Sequence, residues 1–350
     1  MPIKKKITLQ HIAAELGLTV HTVSKALRGL PGMSESTRAS VRELARKLGY
    51  HTKEQERSAL FERVPLYFSH SRRFVFLIAS EIGMYSALHN ALLESVQRRL
   101  ADAGHKVELS FITDRLREDE AFEAWVDKTG IAFSDGVFIS PNIPYPVEDK
   151  LMALPVPRIL LNFPPAMARV DSVIWNVGDA MRQCVNYLLE CGHRRLMYIG
   201  DIERTRGYRI RWSSFRSTLE EAGIAASLEG HLFETNGTRE EWAARWQRLV
   251  EAHKPTAFVC TSQEALTRTY LACSMTGSGI PEHYSLVALE AEPALRGLLP
   301  DMTRPALPVQ ETGFRAAERM LWRIANPSAP YEHIVLQGDL IHGTTVRSIR

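Results

Sequence analysis

The most constraining stretch of the chain runs from residue 7 to 49, where short apolar stripes at helical spacing are interrupted by glycine. Thr8 is a helix-capping type, and Leu9, Ile12, Ala13 and Leu16 follow at i, i+3, i+4 and i+7 of one face. Gly17 stops that helix. Thr19 caps a second, whose Val23, Ala26 and Leu27 turn inward. A third starts at Ser34 and carries Val41, Leu44, Ala45 and Leu48 on one side, with Gly49 where a left-handed terminating residue belongs. Two short helices joined by a tight glycine turn make a helix-turn-helix, and the three stripes can close one small core. Val20, His21, Ser24, Lys25 and Arg28 are then left on the outer side of the second helix, the side offered to a DNA major groove. Lys25 and Arg28 can donate to guanine O6 and N7, His21 can donate or accept, and Val20 can lie against a thymine methyl. Taken singly, each basic residue fits a solvated face equally well.

The distribution of charge separates these readings. The 350 residues carry a formal net charge of only +3. Residues 1 to 50 hold nine lysines and arginines against three glutamates, a balance of +6 that leaves −3 for the other 300. Positive charge is thus concentrated on the helix-turn-helix, as expected of a phosphate-binding head on a near-neutral body. The length predicts two or three folding units. No apolar signal-peptide core follows the basic start, and no stretch approaches the roughly 20 apolar residues that cross a bilayer, so a cytoplasmic location is expected. Cys184, Cys191, Cys260 and Cys273 lack metal-ligand or disulfide-framework spacing and read as buried small apolar residues. Neither a metal nor a cofactor is expected.

The chain is expected to comprise a DNA-binding domain over residues 1–50, a polar linker or hinge over 51–73, and an α/β core over 74–350. In the core, short apolar runs at 74–79, 107–112, 136–140 and 158–161 read as buried strands separated by helices over 87–100, around 122–126 and over 147–154. The alternation repeats with helices at 179–191, 209–222, 239–252 and 264–275 between strands at 196–200, near 231–234, at 256–261 and at 285–290. Such alternation implies parallel pairing with right-handed crossovers, hence two doubly wound α/β halves. Ligands of such sheets bind beyond the carboxyl ends of the strands, here in a cleft between the halves.

The stretch from Thr19 to Gly29, Ser34-Glu35-Ser36-Thr37-Arg38, Cys191-Gly192-His193-Arg194-Arg195 and Ile280-Pro281-Glu282-His283-Tyr284-Ser285 resemble the lactose-repressor (LacI/GalR) family of bacterial transcription regulators over essentially the whole chain. The resemblance implies a three-helix head on a periplasmic-binding-protein-like core of two subdomains. It further implies a homodimer on a near-palindromic operator, with affinity controlled by a small effector such as a sugar or sugar acid. Base-reading positions carry over to Val20, His21 and Lys25, with Arg28 close by. Thr8, Thr19, Thr22, Ser24, Thr37 and Arg38 carry over as phosphate contacts, which position the head without specifying sequence.

The chain departs from the family in two places. Thr52-Lys53 replace Pro-Asn in the linker, and Ala59 stands at the position of a minor-groove leucine wedge with Leu60 beside it. In the cleft, Arg211 holds the place of an arginine that clamps ligand oxygens. Ser262-Gln263 stand for Asn-Asp, Glu290 for Asp, and Asn162 for Asp. Trp212 and Phe233 are expected to line the cleft, as is Trp175, although aromatics at such positions also serve packing. The changes argue against importing a known sugar directly. An enzyme is the first rival, but nucleophile elbow, Walker loop, dinucleotide fingerprint and metal-ligand spacing are missing from the sequence, and His193 reads as a turn residue. A solute-binding protein with weak or altered DNA control is the second.

Overall fold

The computed structural model describes residues 8–27, 32–48, 50, 71–79, 86–233, 237–291 and 300–350. The chain divides into two compact units, Met1–Val64 and Pro65–Arg350. Arg28, Ala59, Leu60 and most of the expected linker lie outside the described residues.

In the first unit α1 (Leu9–Leu16), α2 (Val20–Leu27) and α3 (Glu35–Lys47) enclose Ile12, Ala13, Val23, Ala26, Val41 and Ala45. These are the residues whose spacing marked the inward stripes. Thr8 Oγ1 and its backbone N–H both meet His11 Nδ1, at 2.8 and 3.1 Å, closing the first turn of α1. Gly17 ends that helix at φ +63°, a conformation that a Cβ penalises. Thr19 Oγ1 accepts the Thr22 N–H at 3.1 Å, and Ser34 Oγ accepts the Thr37 N–H at 3.1 Å, so each predicted cap is used.

The second unit has two lobes. The first lobe is a six-stranded parallel sheet in the order β10-β5-β4-β3-β1-β2. Its strands are β1 (Arg73–Ala79), β2 (Lys106–Ile112), β3 (Gly136–Ile139), β4 (Arg158–Leu160), β5 (Asp171–Trp175) and β10 (His333–Leu336). Helices α4 (Ala87–Asp102), α5 (Asp119–Thr129), α6 (Tyr145–Met152) and α11 (Val309–Ala325) cover it. In the second lobe β6 (Leu196–Ile199), β7 (Ala257–Cys260) and β8 (Ser285–Ala288) pair in parallel, with Leu232 bridged to Ile199 and Thr303 to Val287. Around it lie α7 (Val177–Glu190), α8 (Arg206–Glu221), α9 (Arg239–His253) and α10 (Gln263–Met275). The antiparallel pair β9 (Arg304–Pro305) and β11 (Leu340–Ile341) completes it. Trp242, Trp246 and Leu286 pack on one face of the second sheet; Tyr198, Trp212, Phe215 and Val259 pack on the other. Burial on both faces explains why these strands read as unbroken apolar runs.

Strands β5 and β10 and helix α11 were not among the expected elements. Asp171, at the start of β5, is fully buried and accepts from Arg319 Nη2 at 2.7 Å, Arg323 Nε at 2.5 Å and the Glu332 N–H at 2.9 Å. Helix α11 lies close against α4 because residue 313 is glycine, where a Cβ would sit 2.5 Å from Ser95 Cβ. His193 is also structural: Nδ1 meets Thr256 Oγ1 at 3.0 Å, and Nε2 meets the Arg347 carbonyl at 3.1 Å. Cys184, Cys260 and Cys273 are buried, whereas Cys191 is half-buried, a partial departure from the expected burial of all four.

Candidate functional site

Two surfaces of different chemistry stand out, one in each unit. On the head, Val20 is 42% exposed, His21 is exposed, and Ser24 and Lys25 are half-buried beside the core-facing Val23 and Ala26. Helical geometry therefore directs positions 20, 21, 24 and 25 away from the three-helix core, as their spacing predicted. Thr8, Thr19 and Thr37 flank helix N-termini, where unpaired backbone N–H groups favour an anion. Their hydroxyls have local partners as well: Thr19 Oγ1 lies 2.9 Å from Thr22 Oγ1, and Thr37 Oγ1 lies 2.7 Å from Ser34 Oγ. A capping hydroxyl thus holds the turn that presents the N–H groups. Arg38 is half-buried in the first turn of α3.

In the second unit the strand orders place a reversal between β1 and β3 in one lobe and between β6 and β7 in the other. Segments leaving the carboxyl ends of these strands face one cleft. Pro141 and Asn142 follow β3, Asn162 and Phe163 follow β4, and Trp175 ends β5; across from them are Thr205, just before α8, Tyr208 and Arg211 of α8, and Glu290 after β8. The structure brings together four of the residues expected at the cleft, Asn162, Trp175, Arg211 and Glu290. Arg211 is 6% exposed; its Nη1 donates to the Thr261 carbonyl at 2.6 Å and its Nη2 to Glu290 Oε1 at 2.5 Å. Burial opposes the Arg211 charge, but Glu290 with Tyr208 and Tyr198 together outweigh it and raise the guanidinium pKa. The guanidinium also lies 4.8 Å from the centroid of the Tyr208 ring.

The space beside this pair is about 50 Å³. Glu290, Ser86 and Leu88 also border a second chamber of about 360 Å³, lined by Gln263 and by apolar groups including Leu289, Leu307 and Val309. The indole N–H of Trp175 is buried at the cleft wall and finds no hydrogen-bond partner among the described residues. Burial lowers the pKa of His89, against the opposing pull of Glu290, so a neutral imidazole faces the cleft, with Nδ1 2.9 Å from Ser86 Oγ. Buried donors and one shared carboxylate suit an oxygen-rich small molecule.

Trp212 and Phe233 are not brought to the cleft. Trp212 packs against Tyr198, Phe215 and Phe233 at centroid distances of 5.2, 5.7 and 5.0 Å, because adjacent positions on a helix point about 100° apart and Arg211 takes the cleft side. Ser262 accepts the Ala265 N–H at 3.2 Å and caps α10, and Gln263 borders the larger chamber. Sequence reasoning missed His89 and Tyr208. Both were signalled by position: His89 opens the helix after the first strand, and Tyr208 lies one turn before Arg211 on the same face.

Comparisons with known proteins agree with this geometry. The family model for bacterial regulatory proteins of the lacI family matches residues 8–53, and that for a periplasmic binding protein-like domain matches residues 185–346. The transcriptional regulator MalR of Streptomyces coelicolor is 25% identical over 338 residues, covering 95% of this chain and 94% of its own. The transcriptional repressor PurR of Escherichia coli is 25% identical over 350 residues, covering 97% and 96%. Among solved structures, the regulator CelR in complex with cellobiose superposes with a TM-score of 0.68 at 20% identity, covering 97% of this chain and 99% of that one. The lac repressor dimer bound to operator and an anti-inducer gives 0.66 at 18%, covering 98% and 100%.

Proposed function

The chain belongs to the lactose-repressor family of bacterial transcriptional regulators, and on that footing we propose that it is a repressor whose operator affinity is set by an effector in the cleft. The observation that carries this reading is the pairing, in one chain, of an outward-facing recognition helix with a two-lobed cleft built around a buried arginine. Val20, His21 and Lys25 read bases, while Thr8, Thr19, Thr22, Ser24, Thr37 and Arg38 fix the head on phosphates. Arg211, Glu290, Asn162 and Trp175 hold the effector, a sugar or sugar-derived metabolite. CelR is named as a cellobiose complex and the lac repressor as an operator-bound dimer, which supports both partners.

A homodimer is supported by surface chemistry. Among the described residues the strand β2 is an unpaired sheet edge that exposes Leu109 and Phe111 at 39% and 41%, and Leu271 and Met275 lie exposed on α10. The relatives are transcriptional regulators, which disfavours the enzyme reading. Among the described residues no helix is long and apolar enough to cross a membrane. The work of an operator-binding repressor places it in the cytoplasm.

The test is operator selection with the full-length protein at low salt, starting from DNA around its own gene. Capture of a near-palindromic site is expected; failure to bind any such fragment overturns the reading. On the selected site, Lys25→Ala should relax one base position at a cost of about 1–3 kcal/mol. Uniform weakening on all sequences would make Lys25 a phosphate contact instead.

A further inference from the structure

Arg206 opens α8 between Thr205 and Gly207, both of which line the cleft. Its own side chain reaches across to the other lobe. Nη2 meets Glu148 Oε1 at 2.5 Å, Nε donates to the Phe163 carbonyl, and the guanidinium lies 5.0 Å from the centroid of the Tyr145 ring. One turn on, Arg209 Nη2 donates to Tyr145 Oη at 3.0 Å, and its guanidinium lies 5.5 Å from the same ring. All three partners belong to the first lobe: Tyr145 and Glu148 to α6, Phe163 to the segment after β4. Both arginines belong to the second.

Glu148 makes this contact more than an incidental surface pair. It is fully buried, although it lies on a short helix beside a solvent-facing cleft, and its ion partner is supplied by the opposite lobe. Arg206 is 13% exposed at its side chain. A buried carboxylate is costly unless it is paired; Glu148 Oε1 has its ion partner only while the lobes are together, and its buried Oε2 has no hydrogen-bond partner among the described residues. The contact is also wired to the site itself, since Phe163, Thr205 and Gly207 line the cleft on either side of it. With the lobes in this arrangement the room beside Arg211 is about 50 Å³, and it adjoins the chamber of about 360 Å³ that shares Ser86, Leu88 and Glu290.

We infer that Glu148 and Arg206, backed by Tyr145 and Arg209, form an inter-lobe latch that ties the two lobes together across the empty cleft and must release or re-form around an effector. These are positioning residues, which act through the backbone that bears the effector contacts. The inference rests on the reading of the cleft as the effector site, but the latch itself can be tested without an effector.

The experiment is hydrogen–deuterium exchange on the full-length protein without ligand, comparing Glu148→Gln, Arg206→Gln and the double variant. Segments 161–164 and 204–208 are the readout, and strands 74–77 and 257–260 are the internal reference. Each single variant should speed exchange in the readout segments about tenfold while the reference strands stay protected. The double variant should exchange no faster than Arg206→Gln alone, since that variant already loses the Glu148 contact along with those to the Phe163 carbonyl and the Tyr145 ring. Unchanged readout segments would overturn the latch, as would additive effects or faster exchange that extends to the reference strands. If Glu148→Gln does not fold, Arg209→Gln carries the test, because it removes the Tyr145 contact without unpairing a buried charge; a smaller rise, about threefold and confined to the same segments, is expected, and no rise overturns the proposal. A thermal-shift titration with cellobiose, glucose and glucuronate on the same proteins separates the two readings. Faster local exchange with no shift from any sugar leaves the latch standing and counts against the effector assignment. A shift with unchanged exchange does the reverse.

Discussion

His231 Nδ1 accepts the Tyr198 N–H at 3.1 Å, and its ring packs among Trp212, Phe215 and Phe233. A ring that accepts at Nδ1 within an aromatic cluster is held neutral, and burial, aided by the nearby His253, pulls its pKa from 6.5 down to about 4. The unfolded chain takes up this proton near 6.5 and the folded chain only near 4, so unfolding binds a proton between them. Stability from His231 is therefore complete above the unfolded value and is lost as pH falls toward about 4, by on the order of 3 kcal/mol at full extent. Urea unfolding between about pH 7 and pH 4 should show a falling midpoint in the wild type and a flatter profile in His231→Gln. Parallel profiles would refute the assignment. The same cluster shows what residue-level reading can and cannot reach. The position of Arg211 was legible from family resemblance, and its geometry follows from a fork of donors that needs a buried acceptor. That the neighbouring Trp212 turns to the core was not legible, because the helical phase of α8 is set by packing against β6 and α7, which composition alone does not reveal.

At the scale of elements, legibility followed the apolar pattern. β3 and β6 to β8 are uninterrupted buried runs, and the caps at Thr8, Thr19 and Ser34 lie where residue type placed them. β5 and α11 escaped because each carries charge into the core. β5 begins with Asp171, and α11 sets Arg319 and Arg323 at i, i+4 among Ala316, Met320 and Leu321, so its inner face looks polar. Both arginines also stack on Trp322, with guanidinium-to-centroid distances of 3.9 and 5.6 Å. Burial raises the Asp171 pKa, but the hydrogen bonds from Arg323, the Glu332 N–H and Arg319 outweigh it and hold the carboxylate ionised. Asp171→Asn would leave two buried guanidinium groups without their shared counter-charge. A loss of about 3–5 kcal/mol in urea unfolding is expected, the usual cost of removing one partner from a buried pair. A loss below about 1 kcal/mol would mean that Glu332, which meets Arg319 Nη1 at 2.8 Å, is a sufficient partner alone.

For the whole molecule, regulation requires that occupancy of the cleft and occupancy of the operator depend on each other. The segment joining the two units lies outside the described residues, and at Thr52, Lys53 and Ala59 it departs from the pattern of the lactose-repressor family. Thermodynamics constrains the coupling between the two units without a pathway. An effector that changes operator affinity by some factor must itself be bound more tightly or more weakly by the same factor when operator is present. The factor measures differential affinity for two states, so it also reports whether the lobes are involved. Once a thermal-shift screen has supplied an effector, its dissociation constant should be measured calorimetrically with and without a saturating operator duplex, and the operator's with and without saturating effector. The two ratios should agree and fall within about 5–150-fold. Arg211→Ala should bring both ratios to unity while leaving effector-free operator binding intact. If both ratios are already unity in the wild type, the chain binds its two ligands independently and is no effector-controlled repressor; if they are unequal, a further species such as a dissociating dimer is linked to one of the equilibria, which repetition at several protein concentrations would expose.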